Sequence, residues 1–137
     1  MITKDNTLYL PIKKVFFDQI VNGTKKAEYR EVKYGITANR YLIRDAYGNY
    51  VPNPACTDED EEYYIDDYNN GQFPFLPKQY KYLYLAVGYS KERDTALVEV
   101  ESITFEPGQI RGSGDKKFTF WIIVYHLGKI KNIHFKS

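Results

Sequence analysis

A chain of 137 residues, 43% of them hydrophobic and with a formal net charge of +1, is long enough for one domain that buries a core without staples. It contains no run of about 18 apolar residues, which excludes a membrane-spanning helix, and its opening MITKDNTLYL lacks the apolar h-region of a secretory signal. One cysteine (Cys56) rules out an intramolecular disulfide, and two histidines (His126 and His134) are too few to predict a zinc site, so neither metal nor cofactor is expected.

In chain order, Leu8-Tyr9-Leu10 reads as a short strand, and Pro11 stands where the first turn of a helix tolerates it. Ile12, Phe16 and Ile20 repeat at i, i+4 beside Phe17 and Val21, one apolar stripe on a helix of two to three turns. Asn22-Gly23 ends that helix, because glycine adopts the left-handed conformation without a Cβ clash. Lys25 to Val32 follows as a strand, with Ala27 and Tyr29 on one face and Lys26, Glu28 and Arg30 on the other.

Arg40 to Arg44 reads as a further short strand, and Asp45-Ala-Tyr-Gly-Asn as a turn. Pro52 and Pro54 exclude a central strand there. Thr57 is expected to cap a small helix with Asp58, Glu59 and Asp60 in its first turn, Tyr64 and Tyr68 on one side, and Asn69-Asn70-Gly71 at its end. An excursion as long as 45–78 is uncommon in a compact domain and usually marks a lid or binding loop.

Beyond Pro77 the pattern is β. Leu83, Leu85 and Val87 share one face of a strand whose other face carries Tyr82 and Tyr84. In Thr95 to Phe105, Ala96, Val98 and Val100 oppose Glu99 and Glu101. The glycines of 106–117 match no phosphate-loop spacing, so that stretch is expected to be a flexible loop. Phe118 to Leu127 is apolar on both faces, as suits a covered strand, and Ile130 to Phe135 supplies a last one. The whole predicts a mainly β (α+β) chain: a single domain over 1–137, built as a small β-barrel with one or two short helices and a long acidic insert at about 45–78.

Charge is unevenly spread. Residues 1–44 hold 9 Lys/Arg against 4 Asp/Glu, residues 45–77 hold 8 acidic residues and no Lys or Arg, and 78–137 hold 10 basic against 6 acidic. Two basic segments therefore flank an acidic insert, and the near-neutral total hides a potential basic face. Most of the 14 tyrosines are expected in the core or half-buried in walls, where a large ring contributes most.

The stretch Gly23-Thr-Lys25-Lys-Ala-Glu28-Tyr-Arg30 carries the chemistry, read as G-x-K-x-x-E-x-R. Lys25 leaves the helix–strand junction, and Glu28 and Arg30 are i, i+2 neighbours on one strand face. A guanidinium fork grips phosphate or carboxylate. A carboxylate beside it holds the fork, accepts from a base amino group, or serves as a general base. The plain alternative is a solvated outward face, on which a Glu–Arg pair contributes about 0–1 kcal/mol. Lys13 and Lys14 open the helix before this motif, and Gly88-Tyr89-Ser90 ends a strand where glycine lets a ligand approach.

The order strand, helix with Phe16-Phe17, then G-x-K-x-x-E-x-R resembles the opening of ASCH domains, members of the PUA-like superfamily. Val87-Gly-Tyr-Ser-Lys91 with the Ala96–Ile103 strand, and Phe118–Val124 with Leu127-Gly-Lys-Ile130, are similar to that group's later regions. The likeness spans about two thirds of the chain and leaves out roughly 44–78. It implies a PUA-like β-barrel with a cleft near Glu28 and Arg30 that binds RNA or a nucleotide-like ligand. Together with the basic cluster at Lys13 and the strand end at Tyr89, the expected binding residues are Lys25, Glu28, Arg30, Lys13 and Tyr89, and the lone cysteine leads to the expectation of a reducing, cytoplasmic setting. One branch of the family hydrolyses the acetyl amide of N4-acetylcytidine with a lysine, a threonine and a glutamate. Lys25 matches the lysine, but Glu28 stands at the threonine's place and supplies no hydroxyl nucleophile. Another branch is ribonuclease-like. The alternatives are thus a hydrolase on a modified nucleobase or on RNA, with Lys25 and Glu28 as catalytic acid/base groups, or a protein-interaction module using the Tyr-rich insert at Asp58–Tyr68.

Overall fold

The computed structural model describes residues 2–111 and 116–136. Strand β1 (Thr7–Ile12), helix α1 (Lys14–Asn22) and strand β2 (Ala27–Val32) are followed by a single helical turn, α2 (Ala38–Tyr41). Three longer-range strands follow: β3 (Tyr82–Val87), β4 (Thr95–Arg111) and β5 (Lys116–His134). The five strands form one mixed sheet in the order β1-β3-β4-β5-β2, with β1 parallel to β3 and β3 antiparallel to β4. The expected closed barrel is therefore corrected: β1 and β2 are the two ends of an open order. No helix among the described residues is long and apolar enough to cross a membrane.

The chain divides into two compact units, residues 1–28 with 79–103 and 125–137, and residues 29–78 with 104–124. The first is built largely by alternation, broken where Ala86 and Leu97 are buried beside their neighbours. Leu8, Leu10 and Ile12 of β1 are buried, and the register sets Leu8 beside Leu83 and Leu10 beside Leu85. Leu83 and Leu85 in turn face Val98 and Ala96 of β4, so three strands present one apolar layer. Helix α1 buries Phe17 and Ile20 and packs on β3. It starts later than predicted: Pro11 lies in β1 opposite Ala86, and Lys13 is the N-cap. A residue without an N–H is tolerated there because β1 is an edge strand. The helix end is as predicted, with Gly23 at φ 86° and its turn closed by Thr24 and Lys25 N–H groups donating to Gln19 O at 2.9 and 3.0 Å.

The second unit is built by cross-linking irregular segments. Arg40 to Arg44, predicted as a strand, instead ends α2 and continues into isolated bridges, Leu42 to Pro77 and Arg44 to Tyr50, with a third joining Pro52 to Phe75. Backbone bonds from Ile43 to Leu76, Val51 to Ile43 and Leu76 to Val51 tie these pieces together. Pro52, Pro54, Pro74 and Pro77 lack the donors a continuous ladder needs, so pairing is confined to single bridges. The predicted turn at 45–49 is present: Asp45 Oδ1 accepts from the Tyr47 and Asn49 N–H groups, and Gly48 has φ 84°.

No helix forms at 57–68. Thr57 Oγ1 donates to Asn53 O at 2.9 Å instead of capping, and Asp58 N–H donates to the Tyr63 hydroxyl. Five consecutive acidic residues gain nothing from a helix that would stack them at i, i+4. Only Asn69–Gly71 forms a 3-10 turn, with Asn69 and Asn70 at positive φ. The insert is nonetheless core material: Ile65, Phe73 and Pro74 are buried. Phe73 stacks on Phe105 of β4 at 4.0 Å, while Trp121 of β5 takes Tyr68 on its face and donates Nε1–H to Asp67 O at 2.8 Å.

Two further expectations are corrected. The stretch 106–117 is largely strand, its first part in β4 and Lys116-Lys117 in β5, while 112–115 lie outside the described residues. The strands predicted at Phe118–Leu127 and Ile130–Phe135 are one strand, β5, which Gly128 does not interrupt. Of the tyrosines, Tyr41 and Tyr125 are buried, whereas Tyr9, Tyr29, Tyr34, Tyr47, Tyr64, Tyr68 and Tyr89 are exposed, half of the total.

Candidate functional site

The helix-ending turn builds one wall of a cleft in the first unit. Asn22 Oδ1 accepts from the Thr24 N–H and hydroxyl at 2.9 and 2.7 Å, which fixes the chain direction before Lys25. Lys25 is half-buried, its ammonium 5.2 Å from the centre of the Phe16 ring, a cation–π contact that restrains a long side chain. Lys26 O accepts from Leu127 N–H at 2.9 Å, tying the approach to β2 against β5.

The cleft holds about 660 Å³. The α1 end and the Gly23 turn form one side, Val98 and Glu101 of β4 the floor, and Leu127 to Ile130 of β5 the other side. Among the lining residues are three lysines, Lys25, Lys26 and Lys129, and one glutamate, Glu101. A surplus of positive charge in a concave space concentrates anions there. Gly128 lets this wall pack closely: a Cβ at that position would sit 2.9 Å from Glu101 Cγ, so the Glu101 side chain would have to move. Next along the same strands Lys131 bridges Glu99 at 3.0 Å, and that hydrogen bond holds the Glu99 carboxyl below and the Lys131 ammonium above their ordinary values.

The residues singled out from sequence do not all meet. Lys25 lines the cleft. Glu28 lies on β2 with only 6% of its surface exposed, and its Oε2 is shut off from solvent. The face shared by Glu28, Arg30 and Val32 is thus the inward one, and Tyr29 and Glu31 face out. That reverses the plain reading of a solvated Lys/Glu face. Arg30, half-buried, belongs to the second unit. Lys13 is exposed at the start of α1, and Tyr89 stands 86% exposed on the turn after β3; neither lines the cleft. Lys129, Lys26 and Glu101 were not anticipated as site residues. The legible signal was Gly128, a glycine inside an apolar strand, which marks a close approach.

A second charged cluster lies at the other end of α1. Asp94 is 4% exposed and accepts from Lys14 Nζ at 2.6 Å and from Lys136 N–H at 2.8 Å, while Lys14 also reaches Asp18 at 3.0 Å. The Lys14 hydrogen bond, then the Lys136 N–H, hold the Asp94 carboxyl below its ordinary value, and Asp94, then Asp18, raise Lys14. The cluster ties α1, the start of β4 and the end of the chain together and is fully used in doing so.

Compared with known proteins, the chain matches no family model, no curated protein and no solved structure.

Proposed function

We propose that this chain is an ASCH-like module that binds RNA, or a nucleotide within it, at the lysine-lined cleft. The observation that carries the reading is that Lys25 and Lys26, after the Gly23 turn, and Lys129, from β5, line one cleft. Lys25 is the lysine of the G-x-K-x-x-E-x-R stretch on which the family resemblance rests. Three lysines against one glutamate around a cleft suit a phosphate-bearing ligand, because ion release from the nucleic acid drives such binding. An RNA ligand and a free cysteine, Cys56, fit a cytoplasmic setting. Of the pair that a hydrolytic role requires, Lys25 lines the cleft and Glu28 does not, so binding is the preferred reading over catalysis.

The test is titration with single-stranded and hairpin RNA at two salt concentrations. Binding should weaken as salt rises, and replacing Lys25 or Lys129 by alanine should make the slope of log K on log salt shallower by about 0.7–1. No binding at low salt, or equal affinity in Lys25→Glu and Lys129→Glu, rejects the proposal.

A further inference from the structure

Strand β4 carries two glutamates two residues apart, and the structure uses them differently. Glu99 is engaged, bridged by Lys131 at 3.0 Å. Glu101 is exposed, and its carboxylate has no hydrogen bond or ion pair among the described residues, although lysines line the same cleft. Its side chain lies along Gly128: a Cβ there would meet Glu101 Cγ at 2.9 Å, Oε1 at 3.2 Å and Cδ at 3.4 Å. Gly128 and Lys131 are three residues apart on β5, so they present opposite faces of the sheet. Glu101, against Gly128, therefore lies on the side away from Glu99, with Ile130 and the buried Val98 of the cleft. Between Glu99 and Glu101 the alternation of β4 slips by one residue, as a bulged strand does to re-aim a side chain.

We infer that Glu101 is the base-reading residue of the cleft and that the base it selects is guanine. The lining is divided as a nucleotide is divided: Ile20, Val21, Val98, Leu127 and Ile130 offer apolar surface to a ring, and Lys25 and Lys26 offer charge to a phosphate. The volume of about 660 Å³ lies within the range of about 300–1,000 Å³ of small-ligand sites. A lone carboxylate repels phosphate from its own end of the cleft, so the phosphate belongs with the lysines and the base edge with Glu101. A carboxylate accepts two hydrogen bonds side by side, and its charge strengthens both. Guanine alone among the four bases offers two adjacent donors on its pairing edge, N1–H and the N2 amino group. Adenine and cytosine set one amino group beside a ring nitrogen whose lone pair faces the carboxylate, and uracil sets one N–H between two carbonyls. Bases splayed out of a single strand are read on this edge. Guanine selection rests on the RNA-binding reading for its phosphate contacts and adds to it a base preference and the residue that imposes it.

The experiment measures anisotropy of fluorescein-labelled heptauridylates carrying guanosine, inosine, cytidine, adenosine or uridine at the centre, with the full chain at low salt. The proteins are wild type, Glu101→Gln and Lys25→Glu, each checked for folding by circular dichroism. Wild type should bind the guanosine heptamer about tenfold tighter than the all-uridine one, with inosine, which lacks the N2 amino group, in between. Glu101→Gln should bring guanosine to within about twofold of uridine, whereas Lys25→Glu should weaken all five heptamers and keep their order. Equal binding of the five by wild type overturns guanine selection and leaves the RNA reading standing. A guanosine preference that persists in Glu101→Gln overturns the role of Glu101. Absence of binding to any heptamer, and to guanosine monophosphate, overturns both. Guanosine monophosphate that binds more tightly than the guanosine heptamer, with the same dependence on Glu101, supports guanine reading and overturns RNA as its source. Should Glu101→Gln fail to fold, the inosine arm decides with wild type alone: weaker binding of inosine than guanosine supports the two-donor contact, and equal binding overturns it.

Discussion

The two units reach a buried core by opposite routes. In the first, the hydrophobic residues sit at period two on strands and period four on one helix, so local geometry alone sorts them to one side. In the second, few residues of 42–78 belong to regular structure, and the core is gathered by rings: Phe73 touches Phe105 and Trp121, Trp121 touches Tyr68, and the prolines of 52–77 leave only single bridges in that segment. A core of the first kind spreads its stability over many similar contacts. A core of the second kind concentrates it on a few large side chains. The cleft of the first unit lies where α1 ends against β4 and β5, and the Gly23 turn sets the chain direction before Lys25.

Removing the ring at the centre of the second unit is the sharpest way to break this contrast. Trp121→Ala should cost about 3–5 kcal/mol of unfolding free energy in urea, since it leaves a large cavity and an unanswered Asp67 carbonyl. Hydrogen exchange should show protection lost first in the 29–78 segment; equal loss across both units would contradict the division. Leu85→Ala, the matching deletion in the first unit, should cost about 2–4 kcal/mol by the same measurement, with the burden spread over β1, β3 and β4.

The Asp94 cluster sharpens the comparison by pH, because it exists only in the first unit. Its carboxyl is held below the ordinary value of 3.8, so its contribution is complete above that pH and is lost as pH falls through the lowered folded value. Asp94→Asn should therefore lower the thermal midpoint at neutral pH and flatten its decline on the acid side. Lys14 is raised above 10.5, so its contribution is complete below that pH and is lost as pH climbs through the raised value; its exposure makes this alkaline limb the shallower one. An unchanged acid limb in Asp94→Asn would remove the cluster from any account of stability. The smallest effect is expected of Gly128→Ala. The group it meets is the flexible Glu101 side chain, so stability should change by about 0.5 kcal/mol or less, while the RNA affinity proposed above, measured by titration, should fall as the cleft narrows.

How far the sequence could be read varied in the same way. The helix stop at Gly23, the turn at 45–49 and the inward leucines of β1 and β3 were legible, since each depends on residues within a few positions of one another. Glu28 was legible as unusual by its place in G-x-K-x-x-E-x-R, yet its burial was not, because alternation tells which residues share a face and not which face is covered. Lys129 and Glu101 reach Lys25 from strands far along the chain, and no spacing announces that. The acidic run 58–62 looked like the start of a capped helix; what decided otherwise was the demand of Trp121 for Tyr68 and the Asp67 carbonyl.

By itself, then, the sequence determined the mainly β class, the stop of α1 at Gly23, the tight turn at 45–49 and the basic and acidic division of the chain, all consequences of steric and hydrophobic preferences acting over short range. Only the tertiary structure decided the open strand order, the recruitment of the insert into a core and the meeting of three lysines in one hollow. Those depend on which distant surfaces bury each other, and that is a balance of packing over the whole unit that no local pattern encodes.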